Sequence, residues 1–234
     1  MATELKRIQS VERSFALLET LSHHDKPMSL QSISHACVLN KTTAHGLLST
    51  MCALGYVSKV DGGYTLGLRL KDLSKPLEQR DEAIRRHFAE LIHSMAQLTN
   101  NTAYLAVPSG VGEYLYLDAV ERDNPLTIRS PRGRREGLTT SAIGKVFLAF
   151  EDSLRRTLRI SGEVSPELDE ELSQVKLQGY ALDLEQAEPE LNCLAIPLYW
   201  HGKVVAAAGI CGASSDLTAP RLIHFAGVFT RKSQ

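Results

Sequence analysis

Apolar residues recur along the first stretch of the chain at the spacing of one helix face: Ile8, Val11, Phe15 and Leu18, with Leu17 and Leu21 widening the stripe. The polar run "SHHDKP" ends it. Beyond Pro27, Ser29 is placed to cap a short second helix carrying Leu30, Ile33, Ala36 and Cys37, which gives way at "VLN". Asn40 is a suitable cap for a third helix, in which Ala44, Leu47, Leu48 and Met51 fall at i, i+3, i+4 and i+7. Its opposite face is polar: Lys41, Thr43, His45, Ser49 and Thr50.

The runs "YVSKV" and "YTL" flank "DGG", the pattern of two short strands joined by a tight turn. Three short helices followed directly by a hairpin predict a winged helix-turn-helix. From Leu68 the chain turns helical again, with Pro76 expected at a break or first turn. The stripe Ile84, Phe88, Leu91, Ile92 and Met95 then continues to about Leu98, and its scarcity of Gly and Ser implies a stiff connector whose apolar stripe is available for dimerisation.

The remainder alternates strand-like runs with helical ones. "TAYLAVP", "VGEYLYLDAV" and "LTIRS" precede helices near 139–150 and 166–178, and "YALDL", "CLAIPLYW" and "VVAAAGIC" follow. A hairpin at "YWHGKV" joins the last two runs. This pattern predicts an α+β domain with a mainly antiparallel sheet.

Composition changes this picture little. The chain has 234 residues and a net charge of −1, so overall charge does not announce a nucleic-acid binder. Its distribution is more informative: residues 1–80 hold ten Lys or Arg against seven Asp or Glu, whereas residues 81–234 hold sixteen against twenty. Cys37, Cys52, Cys193 and Cys211 include no C-x-x-C pair and lie in apolar runs, as expected of reduced, mostly buried thiols. The beginning "MATELKRIQS" has no apolar signal core and no apolar run approaches a membrane span, so a cytoplasmic location without membrane insertion is expected.

The chemistry worth testing sits in three places. Lys41, Thr42, Thr43 and His45 crowd the start of the third helix, where a recognition helix presents side chains and its positive dipole end to phosphates and base edges, and Lys59 on the wing suits a backbone contact. The loop "SPRGRREGL" carries Arg129, Arg132, Arg134 and Arg135, read first as a solvated charge cluster. After it, Thr139, Thr140 and Ser141 open the helix "AIGKVFLAF", whose start could receive a carboxylate or merely cap itself. A Cys193 or Cys211 nucleophile using His201 or His224 has no evident base or oxyanion loop in the sequence. No G-x-S-x-G, H-E-x-x-H or P-loop is present, "GVGEYL" lacks the last glycine of a dinucleotide loop, and neither cofactor nor metal is expected.

The stretches "IQSVERSFALLETL", "NKTTAHGLLSTMCALGYV", "YTLGLRL", "LTTSAIGKVFLAF", "GYALDLEQAE" and "CLAIPLYW" resemble the IclR family of bacterial transcriptional regulators, from about Ile8 to Phe225. The resemblance implies a winged helix-turn-helix over residues 1–70, a dimerising linker helix over 71–99 and a GAF-like effector-binding domain over 100–234. It implies a recognition helix over Asn40–Leu54, with Lys41, Thr42, Thr43 and His45 near DNA, and places Asp183, Cys193 and the backbone around Ala142 and Ile143 against an effector, with Gly209 and Cys211 on the last strand. Gly46 departs from the family, which commonly has arginine there, and Glu190 stands where glycine is usual. Gly209 and Cys211, in place of serines, imply more room and a bulkier or less acidic ligand, and after Phe225 the chain is expected to end sooner than the family's closing helix, with "TRKSQ" unlike its usual finish and the terminal dimer contacts altered.

The expected function is a ligand-responsive DNA-binding regulator, a repressor of catabolic genes acting as a dimer or tetramer, with double-stranded operator DNA and a small organic acid or sugar acid as partners. A cysteine-dependent enzyme and a sensor with weakened DNA binding that acts through protein contact are the competing expectations.

Overall fold

The computed structural model describes residues 8–110, 112–121 and 132–231. The strand expected at "LTIRS" and the residue Arg129 lie outside them. The chain forms two compact units divided between Gln79 and Arg80.

The first unit contains α1 (Gln9–Ser22), α2 (Leu30–Ala36), α3 (Lys41–Leu54) and a hairpin of β1 (Val57–Val60) and β2 (Gly63–Leu66). Its core joins Leu17, Leu21, Met28, Ile33, Leu48, Met51, Val57 and Tyr64. The α1 expectation is corrected in part. Leu17 and Leu21 are buried, whereas Ile8, Val11 and Phe15 are 66%, 49% and 61% exposed. The core meets α1 along its C-terminal half, so the earlier members of the stripe remain an uncovered apolar face. Met28 and Tyr64 exchange backbone hydrogen bonds of 2.9 and 2.8 Å, tying the segment before α2 to the hairpin. Gly63 makes this approach feasible, because a Cβ there would lie 2.1 Å from Met28 O.

α4 (Arg69–Thr99) runs unbroken through Pro76, contrary to the expected interruption. Proline removes one helical donor, but its neighbourhood is exposed, where water can satisfy the orphaned carbonyl. The stripe expected to serve a dimer contact is also reassigned: Ile84, Phe88, Ile92 and Met95 are buried in the core of the second unit, and the exposed apolar residues of this helix are Leu73, Leu77 and Leu98.

The second unit is a six-stranded antiparallel sheet ordered β5-β4-β3-β8-β7-β6. Its strands are β3 (Thr102–Pro108), β4 (Glu113–Val120), β5 (Arg135–Gly137), β6 (Ala181–Leu184), β7 (Leu191–Trp200) and β8 (Lys203–Ala213). The two-residue side-chain alternation assigns each strand to two cores. Ala103, Leu105 and Val107 join the cluster containing α4 and α8 (Ala219–Phe229), whereas Tyr104 and Ala106 join the cluster containing α5 (Ala142–Phe150), α6 (Asp152–Ile160) and α7 (Pro166–Gln178). His201 and Gly202, at φ 52° and 75°, make the tight turn between β7 and β8.

Near the end of the chain, α8 buries Leu222, Ala226 and Phe229. Three elements were not anticipated: β5, α6 and α8. Among the described residues, no helix is long and apolar enough to cross a membrane.

Candidate functional site

The first candidate surface is the polar face of α3. The Asn40 side chain accepts a 2.7 Å hydrogen bond from Thr43 N–H, fixing the helix start, and Gly55 at φ 81° terminates the helix in a left-handed cap. Ala44, Leu48 and Met51 are buried, which turns Lys41, Thr42, His45, Gly46, Ser49 and Thr50 outward; Thr43 is half-buried. No acidic residue lies in the first turn to oppose the positive end of the helix dipole. Lys59 is exposed on β1. A Cβ added at Gly46 would meet no atom within 4 Å, so this face has an open gap beside His45.

The second is a cavity of about 280 Å³ between the sheet and the start of α5. All seven residues singled out for the effector, Ser141, Ala142, Ile143, Asp183, Cys193, Gly209 and Cys211, line it. Sheet register explains half of that convergence: Asp183 pairs with Cys193 and Cys193 with Cys211, so three neighbouring strands set one row of side chains on the same face. The start of α5 supplies the opposite wall. Ser141 caps α5 by accepting from Gly144 N–H at 3.1 Å, and Gly144 lets the helix seat against Leu138, whose carbonyl oxygen would be 2.3 Å from an added Cβ.

Asp183 is buried, and its Oδ1 accepts backbone N–H bonds from Gln186 at 2.8 Å and Ala187 at 3.2 Å, which folds the following turn over the cavity. Cys193 S–H donates to Cys211 Sγ at 2.8 Å. That bond and burial push the Cys193 thiol well above its ordinary range. Gly209 does not leave the expected free room: an added Cβ would sit 3.0 Å from the Ile143 side chain, which fills the space.

The sequence reading missed the tyrosine wall. Tyr114 and Tyr116 donate to Glu136 Oε2 at 2.7 and 2.9 Å, and their hydroxyl oxygens are 3.1 Å apart. Burial first, then the Glu136 charge for Tyr114 and the neighbouring Tyr114 and Glu136 for Tyr116, raise both phenols far above the usual range. Tyr104 completes the wall, its ring centroid 5.3 Å from that of Tyr116. The only hint was the i, i+2 spacing in "YLY"; Glu136 arrives through the β4–β5 pairing of Tyr114 with Glu136.

The described arginines of the "SPRGRREGL" run keep their side chains largely exposed, as expected of a solvated cluster, while each meets a polar partner. Arg132 donates to Leu117 O and Asp118, Arg135 pairs with Glu113, and Arg134 lies 3.6 Å from Glu136 at the cavity rim. The cavity lining includes neither His201 nor His224, the two bases named for the cysteine-nucleophile reading. Among the described residues, no group of three or more His, Cys, Asp or Glu could hold a metal ion.

Comparison with known proteins places both surfaces in context. The family described as "IclR helix-turn-helix domain" matches residues 10–61, and "Bacterial transcriptional regulator IclR C-terminal" matches residues 79–231. The chain is 28% identical to the HTH-type transcriptional regulator XynR of Escherichia coli K12, covering 93% of this chain and 91% of that protein. It is 26% identical to the transcriptional repressor IclR of the same organism, covering 97% and 88%. An IclR homologue of Microbacterium hydrocarbonoxydans, solved in complex with 4-hydroxybenzoate, shares the fold at a TM-score of 0.68 and 20% identity, covering 96% of this chain and 98% of that one. With one family match spanning the second unit and another spanning the winged helix, the chain belongs to the IclR family of bacterial transcriptional regulators.

Proposed function

We propose that this regulator reads a pseudo-palindromic operator through α3, with Lys41, Thr42, Thr43, His45 and Ser49 at the major groove and Lys59 on the flanking backbone. The observation that carries this reading is the capped, acid-free start of α3 standing outward. Two copies present two recognition helices, and the exposed Val11, Phe15, Leu73 and Leu77 support apolar self-association as a dimer or tetramer. The 1–70, 71–99 and 100–234 division gives reader, connector and sensor, with the protein working in the cytoplasm.

The cavity takes the effector. Ser141, Ala142 and Ile143 at the α5 start, with Asp183, Cys193, Gly209 and Cys211 on the sheet, form its wall, and the tyrosines add an aromatic side with polar tips. The ligand is a small organic molecule, an organic acid or sugar acid in the class suggested by the 4-hydroxybenzoate-bound relative. Its binding shifts the population of reader spacings that fit two half-sites one helical turn apart, about 34–36 Å. Repression of catabolic genes is the direction supported by the relative named a transcriptional repressor.

A second reading, a weakened reader acting through protein contact, is favoured by the gap at Gly46. Selection of genomic fragments by the purified protein separates the two. Enrichment of paired half-sites supports the operator reader; no enrichment at low salt, with the fold intact, refutes it.

A further inference from the structure

The cavity wall carries a feature that effector recognition does not require: two thiols facing each other across neighbouring strands. Cys193 and Cys211 are register partners in the antiparallel β7–β8 pair, and their sulfurs stand 2.8 Å apart. Directly opposed residues in such a pair have Cα separations of about 4.5–5.5 Å, inside the range of about 4.4–6.8 Å that a disulfide spans. Strand pairing therefore already sets the two sulfurs and the Cα spacing within reach of a bridge. Both thiols are free and partly accessible, and both line the 280 Å³ cavity, which gives a small oxidant a route to them.

We propose that Cys193 and Cys211 are a peroxide-modified dithiol that closes reversibly into a disulfide inside the sensor cavity. The Cys193 S–H points at Cys211 Sγ, which leaves Cys211 as the sulfur placed to react first, as its thiolate. That thiolate attacks hydrogen peroxide, the O–O bond breaks, and Cys211 becomes a sulfenic acid as the departing hydroxide takes up a proton to leave as water. The Cys193 sulfur then attacks the sulfenic sulfur. An S–S bond forms, the S–O bond breaks, and a second water leaves with the Cys193 proton. The two thiols lose two electrons and peroxide is reduced to two waters. Closure removes both S–H groups from the wall opposite Ile143, altering the surface offered to a ligand. This step concerns the thiols alone and stands apart from the operator reading.

The remaining cysteines serve as internal controls. Cys37 lies in the first unit with its sulfur 3.2 Å from Thr20 Oγ1, and Cys52 lies on α3. The test treats the full chain with hydrogen peroxide, then counts thiols after denaturation and maps cross-linked peptides without reduction. The expected result is a fall from the four thiols of the reduced chain to two, with a Cys193–Cys211 peptide in monomeric protein and return to four on adding dithiothreitol. C37S/C52S protein should lose both of its thiols in the same way, while C193S and C211S should form no internal bridge. Four unchanged thiols, bridges between chains, a pairing through Cys37 or Cys52, or irreversible oxidation of one sulfur without a bridge would each overturn the proposal.

Discussion

Gly46 offers a perturbation whose two effects separate by substitution. It lies inside α3 at a φ outside the left-handed region, and an added Cβ would meet nothing within 4 Å. Gly46→Ala therefore gains helix propensity without a clash, about 0.8–1.0 kcal/mol. At about 1.36 kcal/mol per tenfold, that gain amounts to roughly a fivefold slower exchange of those α3 amides that open with the whole first unit. Gly46→Arg carries nearly the same propensity gain, because arginine ranks close to alanine in helices. It also adds a guanidinium beside His45. If α3 lies against a duplex, each added phosphate contact steepens the salt dependence of binding by about 0.9 in log–log slope, roughly 2 for two copies. Hydrogen exchange by mass spectrometry reads the first effect, and fluorescence anisotropy with selected fragments at several salt concentrations reads the second. Faster α3 exchange in Gly46→Ala would refute the open helical environment. Equal slopes for the alanine and arginine variants would refute the placement of this face on DNA.

Other consequences follow from the second unit. Glu190 sits at φ 62°, a left-handed conformation costly to a side chain, so Glu190→Gly should stabilise the protein by up to about 1 kcal/mol in urea unfolding; destabilisation would show that its contacts outweigh the strain. Tyr114 and Tyr116 should stay silent in an ultraviolet titration carried through the ordinary phenol range near pH 10. Their phenols are raised in the folded state, so their contribution to stability is whole below about pH 10 and drains away as pH rises above it. Ionisation of all seven tyrosines near pH 10 without unfolding would contradict that. Lys145 Nζ is buried and donates to Glu171 at 2.7 Å, Leu182 O at 3.2 Å and Gln186. Removing one partner of a buried pair costs up to about 3–5 kcal/mol, and the half-exposed Glu171 places Glu171→Leu at the lower end. Lys145→Met should cost less in urea unfolding, because it leaves no buried charge; the reverse order would refute the pairing.

Legibility in the sequence followed the range of the interactions. The α3 face was readable because Ala44, Leu48 and Met51 bury one side at helical spacing and Asn40 announces the start. Strands β7 and β8 were readable as apolar runs around a His-Gly turn. The α1 stripe misled because periodicity identifies an apolar face without saying what covers it, and only the Leu17 and Leu21 end meets the core. β5 carries no hydrophobic alternation in three residues, so Glu136 could not be brought to Tyr114 and Tyr116 without knowing the β4–β5 register. The row Asp183, Cys193 and Cys211 is likewise a property of pairing, and family resemblance named it where local spacing did not. α6, by contrast, carried a usable signal in Leu154 and Leu158 four residues apart.

The outward face of α3 is tested most directly by the salt dependence of operator binding in the unaltered chain beside Lys41→Ala, with circular dichroism checking that both remain folded. Lys41 is exposed in the first turn, so its removal should leave the fold intact, weaken binding to every selected fragment and reduce the slope by about 1 for each α3 that touches the duplex. Identical affinity and identical slope for the two proteins on every fragment would contradict it.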